Sequence, residues 1–147
     1  MSEFTDIASG ELPLGMLLNT IGRLVFEETH RRLSGMEVDV IGLGILWLVD
    51  SAPGQLQSEY ARFQKRDQTT FGRYVDKLEG KALLVRTPVP DDRRARTLEL
   101  TSKGREFLTE GKRRAHAAEA AIVGPPSPDL MQVRRFLTER LNSDMLR

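Results

Sequence analysis

Apolar residues recur at helical spacing over most of this chain and switch to a two-residue period in only one stretch. Leu14, Leu17, Leu18, Ile21, Leu24 and Val25 mark one face of a long helix between Pro13 and Gly35, with Asn19, Arg23 and Glu27 on other faces. From Val40 to Val49 the chain is apolar on nearly every side, so this second helix is expected to be enclosed by its neighbours until Ser51-Ala52-Pro53-Gly54 ends it. Gln57 to Gln64 predicts a short helix that packs through Tyr60, Ala61 and Phe63. Lys65-Arg66-Asp67 then forms a turn, and the Asp67 carboxylate is placed to cap the next helix, whose first backbone N–H groups lack partners. That helix, Gln68 to about Lys81, aligns Phe71, Tyr74, Val75 and Leu78 on one stripe and turns Gln68, Thr69, Gly72, Arg73, Asp76 and Lys77 outward.

Between Leu83 and Thr101 the period becomes two. Val85, Thr87 and Val89 alternate, then Leu98 and Leu100, with Pro88, Pro90 and Asp91-Asp92 between them, which predicts a hairpin. Helical spacing returns from Ser102 to about Val123, where alanines at 115, 117, 118, 120 and 121 allow close approach of another helix, and Gly124-Pro125-Pro126 stops it. A last helix from Pro128 to about Leu146 carries Leu130, Val133, Phe136, Leu137 and Leu141. The fold class is therefore mainly α with a small β wing, in which a winged helix-turn-helix is flanked by N- and C-terminal helices.

Charge sharpens this picture. The net charge is only +1, yet residues 62–96 hold ten basic and five acidic side chains, a net of +5, against −6 for residues 1–61 and +2 for residues 97–147. Positive charge concentrated in one segment suits a phosphate-facing surface, although a solvated face would have the same composition. The chain has no cysteine, which excludes disulfides and thiolate metal sites and suits a reducing compartment. No signal-peptide pattern and no apolar run of membrane-span length occurs, so a cytoplasmic protein is expected. There is no nucleophile–His–acid set, glycine-rich phosphate loop or metal constellation, so neither an enzyme nor a cofactor is expected.

The densest chemistry lies in Asp92-Arg93-Arg94-Ala95-Arg96, a turn loaded with guanidinium groups ahead of an alternating strand. Together with the helix pair upstream it has the parts needed to grip duplex DNA. Near the start of the second helix of that pair, Gln68 can pair with adenine, Thr69 and Thr70 can contact a thymine methyl or a phosphate, and Arg73 can bind guanine with two hydrogen bonds. Lys77, Arg93 and Arg96 suit phosphates. The plainer alternatives are that Thr69 or Thr70 only caps the helix, that Arg73 pairs with Asp76, and that Asp92 is an ordinary turn residue.

The order of elements resembles the MarR family (multiple antibiotic resistance regulators). Ser58-Glu59-Tyr60-Ala61 through Val75-Asp76-Lys77-Leu78-Glu79 is similar to the family's helix-turn-helix, and Asp92, Arg94, Leu100 and Thr101 fall on its wing pattern without a gap, followed by Ser102-Lys103-Gly104. The resemblance covers roughly residues 40–108 and outside them rests on helix order. Two departures stand out. Tyr60 replaces a usual leucine, and Ala82 replaces the usual glycine at the junction of helix and wing, where positive φ would cost on the order of 1 kcal/mol unless Gly80 ends the helix instead.

The resemblance implies a sequence-specific, double-stranded-DNA-binding transcriptional regulator acting as a homodimer on a pseudo-palindromic operator. Residues 1–39 and 102–147 would form the dimerisation region, and residues 40–101 the DNA-binding domain. It places Arg94 in the minor groove, with Asp92 expected to fix its guanidinium. In many relatives a small aromatic or anionic effector, bound between the dimer helices and the winged domain, releases a repressor from DNA. His30, Arg31 and Trp47 are the candidates here, against the plainer reading of Trp47 as core. The rival class is a winged-helix module that meets an acidic protein partner without reading DNA.

Overall fold

The computed structural model describes residues 10–145. Six helices and one hairpin follow in the order α1 (Leu14–Arg32), α2 (Val40–Ser51), α3 (Gln57–Phe63), α4 (Gln68–Gly80), β1 (Leu84–Val89), β2 (Asp92–Leu100), α5 (Ser102–Val123) and α6 (Pro128–Met145). The expected end of the last helix at Leu146 falls outside the described residues, as do residues 1–9 of the N-terminal region.

The core sits in the middle of the chain. Leu43, Ile45, Leu46 and Val49 of α2 are buried against Tyr60 and Ala61 of α3, Phe71, Val75 and Leu78 of α4, and Leu84 and Leu98 of the hairpin. Burying such side chains contributes roughly 1.5–3 kcal/mol each, which fixes α4 by its apolar stripe and leaves its opposite face free. Tyr60 stays in this core because its hydroxyl donates to the Ala52 carbonyl and accepts the Gln55 N–H at 3.2 Å. The phenol thus ties the link between α2 and α3, a role that the usual leucine cannot fill. Burial pushes its pKa up. The link itself runs along β2, with Leu98 N–H donating to the Gln55 carbonyl at 3.2 Å and Gly54 N–H to the Leu98 carbonyl at 3.1 Å.

The hairpin has the expected period, and its register decides which face of β1 turns inward. β1 and β2 pair antiparallel with Leu84 opposite Leu100 and Arg86 opposite Leu98. Leu84, not Val85, therefore enters the core, and Val85 is exposed. A one-residue change of phase exchanges the two faces, and Leu84 wins because it joins Leu98 and Leu100 over α4.

Ala82 takes the left-handed conformation, φ 57°. Its N–H donates to the Glu79 carbonyl at 2.9 Å and the next N–H, of Leu83, reaches back to the Leu78 carbonyl at 3.0 Å. This pair of bonds is a Schellman cap built on alanine, with Gly80 still helical. Thr101 locks the junction from the other side: its hydroxyl donates to the Ala82 carbonyl at 2.6 Å and accepts the Gly104 N–H at 2.9 Å. Gly104 is required there, since a Cβ would lie 1.9 Å from the Leu83 carbonyl oxygen.

The terminal helices are different. On α1, Leu14, Met16, Leu17, Leu18, Ile21 and Leu24 are exposed, and on α6 Met131, Val133, Phe136 and Leu141 are exposed. The apolar stripes read from the sequence are thus left uncovered within one chain. After the turn at Gly124, φ 89°, α6 is tied back to α5 by Arg134 and Glu119 at 2.5 Å. No helix among the described residues is long and apolar enough to cross a membrane.

Candidate nucleic-acid interface

The N-terminus of α4 is set by Asp67, whose Oδ1 accepts the Thr70 N–H at 2.8 Å. The Thr70 hydroxyl and then its backbone N–H hold the Asp67 carboxyl below its ordinary pKa, so the cap stays ionised. With Asp67 supplying the cap, neither Thr69 nor Thr70 is needed for it. Gln68, Thr69, Arg73 and Lys77 are exposed on the face of α4 away from the core, and Thr70 is half-buried. Gln68 makes one long contact, Nε2 to the Ser58 carbonyl at 3.4 Å, and the Lys77 ammonium lies 5.4 Å from the Tyr74 ring centre. The alternative of an Arg73–Asp76 pair is not realised, because Asp76 is held by Arg86 at 2.6 Å.

The wing tip turns at Pro90-Asp91, with Asp91 at φ 66°. Pairing shifts between Pro88, opposite Arg96, and Val89, opposite Asp92, so Arg93, Arg94 and Ala95 bulge from β2. A bulge of this kind re-aims side chains away from the regular ladder. Arg93 and Arg94 are both exposed. Asp92 corrects the expectation made for it: its Oδ1 accepts the backbone N–H groups of Arg94 and Ala95, at 3.0 and 3.3 Å, and it does not hold the Arg94 guanidinium. The carboxylate shapes the bulge and leaves the guanidinium to its surroundings. Arg96 also differs from an outward phosphate ligand, since its Nη1 donates to the carbonyls of Arg93 and Ala95 at 2.8 Å each and the side chain is half-buried.

A cleft of about 360 Å³ joins the two halves of this surface, lined by Gln57 and Ser58 of α3, Gln68 of α4, and Arg86, Arg94 and Arg96 of the wing. Arg93 faces the other side of the wing, with Pro88, Val89 and Asp91. The start of α4 and the arginine-bearing bulge therefore border one groove.

Arg86 is the residue that sequence reasoning missed. It entered only as one positive charge among ten, yet its side chain donates to Gln57 Oε1 at 2.9 Å, Asp76 Oδ1 at 2.6 Å, Glu79 Oε1 at 3.3 Å and the Gly72 carbonyl at 3.2 Å. The available signal was its place on β1, one residue before Thr87 and on the same face as Leu84.

The three effector candidates are not brought together. His30 lines a cleft of about 360 Å³ between α1, α2 and the back of α4, beside Asp39, Tyr74, Lys77 and Lys81. Arg31 instead clasps Glu28, with Nε to Oε2 at 2.9 Å. Trp47 is half-buried between α2 and α5, with His116 edge-on at 5.2 Å and the Lys112 ammonium 5.2 Å from its ring centre. The core reading of Trp47 fits its packing better.

Comparison with known proteins finds relatives that share this fold. Residues 43–95 match the model described as the MarR family. A putative transcriptional regulatory protein for the hcr operon of Thauera aromatica is 30% identical over 110 residues, which cover 73% of this chain and 66% of that protein. Two solved structures are similar over nearly their whole length. CouR of Rhodococcus jostii RHA1 bound to p-coumaroyl-CoA is 27% identical with a TM-score of 0.75, covering 88% of this chain and 91% of that one. The transcriptional repressor CouR bound to a 23-mer DNA duplex is 28% identical with a TM-score of 0.68, covering 97% and 100%.

Proposed function

The chain belongs to the MarR family, and on that premise we propose that it is a transcriptional regulator that binds double-stranded operator DNA as a homodimer and is released by a small molecule. The observation that carries this reading is the shared groove between Gln68, at the start of α4, and Arg94, on the bulge of the wing. Gln68 within this groove, and Thr69, Thr70, Arg73 and Lys77 beyond it on α4, meet base edges and phosphates of the major groove. Arg94 enters the adjacent minor groove, and Arg93 neutralises phosphate. Arg96 acts mainly by holding the bulge.

The exposed apolar faces of α1 and α6 support the homodimer, because faces of this size on a soluble regulator call for a partner and a second copy places two such surfaces on a two-fold axis. A pseudo-palindromic operator follows from that symmetry. Release by an effector is supported by the CoA-ester complex of CouR.

The experiment is selection of bound fragments from random-sequence duplex DNA, with the dimer followed by sedimentation. The proposal expects an inverted repeat bound by a two-chain particle. Enrichment of no sequence, with tight binding to an acidic protein instead, would favour the winged module without DNA readout.

A further inference from the structure

Arg86 makes contacts with two separate helices from a strand. Its backbone belongs to β1, its guanidinium reaches Gln57 at the start of α3 and Gly72, Asp76 and Glu79 along α4, and its own N–H donates to Glu79 Oε2 at 3.1 Å. The guanidinium is largely shielded, with the side chain 21% exposed, whereas Asp76 is 64% exposed. Water therefore screens the Asp76 end of this network and not its centre. Beyond the apolar packing of Leu84 and Leu98, the rest of the wing makes no comparable polar contact to α4: Arg94 and Arg93 are exposed, and Arg96 bonds only to carbonyls of the wing itself.

We propose that Arg86 is the positioning residue that sets the wing at a fixed angle to α4, so that Arg94 and the α4 side chains engage one stretch of duplex together. This rests on the regulator reading above. A planar fork with five N–H donors can meet acceptors on two helices at once, which a lysine ammonium on a flexible stem cannot do in the same geometry. The position also explains two carboxylates on a helix that must approach phosphate. Asp76 and Glu79 serve as sockets for Arg86, and their charge is met from within the protein.

The test uses the full-length chain, a selected duplex and the variants Arg86→Lys, Arg94→Ala and their combination, each checked for melting temperature and dimer size. Arg86→Lys keeps the charge, yet binding should fall by at least about tenfold, as loss of a bidentate guanidinium contact does. The decisive readout is the Arg94→Ala effect, which should be large in the wild type and shrink to less than about twofold in the Arg86→Lys background, since a wing no longer held in register gains little from its arginine. Arg73→Ala should keep its full effect in both backgrounds. An equal Arg94→Ala effect in both backgrounds would overturn the proposal.

Asp76→Ala, which leaves no side-chain acceptor for Arg86 at that position, provides a second arm that does not depend on how Arg86→Lys folds. Removing a carboxylate near phosphate ordinarily strengthens DNA binding, whereas loss of the socket should weaken it by about threefold; strengthened binding counts against Arg86 as a positioner. Hydrogen exchange without DNA should show faster exchange of the β1 and β2 amides in Arg86→Lys with unchanged rates in α2 and α5, and unchanged wing rates would refute the clamp itself. If the wild type binds no duplex while Arg86→Lys still shows this exchange pattern, the regulator reading falls and the clamp stands.

Discussion

Asp92 and Arg94 are joined through the backbone, Oδ1 of the first accepting the N–H of the second at 3.0 Å, so the carboxylate shapes the path of the chain and the guanidinium stays exposed. A side-chain carbonyl can do the same work without charge. Asp92→Asn should therefore keep most of the DNA affinity, while Asp92→Ala should lose about 1 kcal/mol, the net worth of such a bond. Fluorescence anisotropy with a labelled duplex checks this, and equal losses for the two variants would restore the guanidinium-holding role.

Ala82 sits at φ 57° in the cap that turns α4 into the wing. An L side chain in this region costs roughly 1 kcal/mol or more, and glycine does not bear it. Ala82→Gly should raise stability by about 1 kcal/mol, or roughly 3–5 °C in melting temperature. A lowered melting point would show that the alanine methyl makes a packing contribution larger than the backbone cost.

Gly104 lets α5 start against the same junction. A methyl there would stand 1.9 Å from the Leu83 carbonyl oxygen, and backbone cannot step aside as a side chain can. Gly104→Ala should destabilise by roughly 1–3 kcal/mol, the usual range for overpacking. Urea unfolding followed by circular dichroism measures it, and an unchanged midpoint contradicts the close approach.

Much of this architecture could be read from residues close together in the chain. Asp67 caps the helix that starts one residue later, and Phe71, Val75 and Leu78 share a face by helical periodicity alone, so both features follow from local geometry. The arginine-loaded turn was legible for the same reason. Arg86 was not, because its partners lie between seven and 29 residues away and are assembled only when β1 crosses α3 and α4. The inward face of β1 was also hidden, since Leu84 and Val85 are equally apolar and only the register with Leu98 and Leu100 decides between them. His30, Arg31 and Trp47 suggested one cleft by residue type, but helix packing sends them to three different surroundings.

Acid stability gives a further check. Glu28 lies against Arg31 and Arg32, and Glu110 against Arg113 and Arg114, and hydrogen bonds from these arginines lower each carboxyl from 4.5 to about 2. A folded-state pKa below the unfolded one stabilises the protein above the unfolded value, and that contribution is lost as pH falls from about 4.5 toward 2. The stability gap between the wild type and Glu28→Gln should therefore be widest near neutral pH and close over that acid range. The Arg31 and Arg113 ends of these clusters are solvent-exposed, so the gap should be small and should narrow in high salt. A gap that widens as acid is added would reverse the sign of the linkage.

The central claim is that exposed arginines of the wing and side chains of α4 grip one duplex together, and titration of the wild type and Arg94→Ala against a selected duplex over a range of salt tests it most directly. Wild-type affinity should fall by roughly 10³-fold or more between ~50 and ~200 mM salt, and Arg94→Ala should bind about 1–3 kcal/mol more weakly at any one salt with a shallower slope. Affinity that ignores salt and is unchanged in Arg94→Ala would contradict the account.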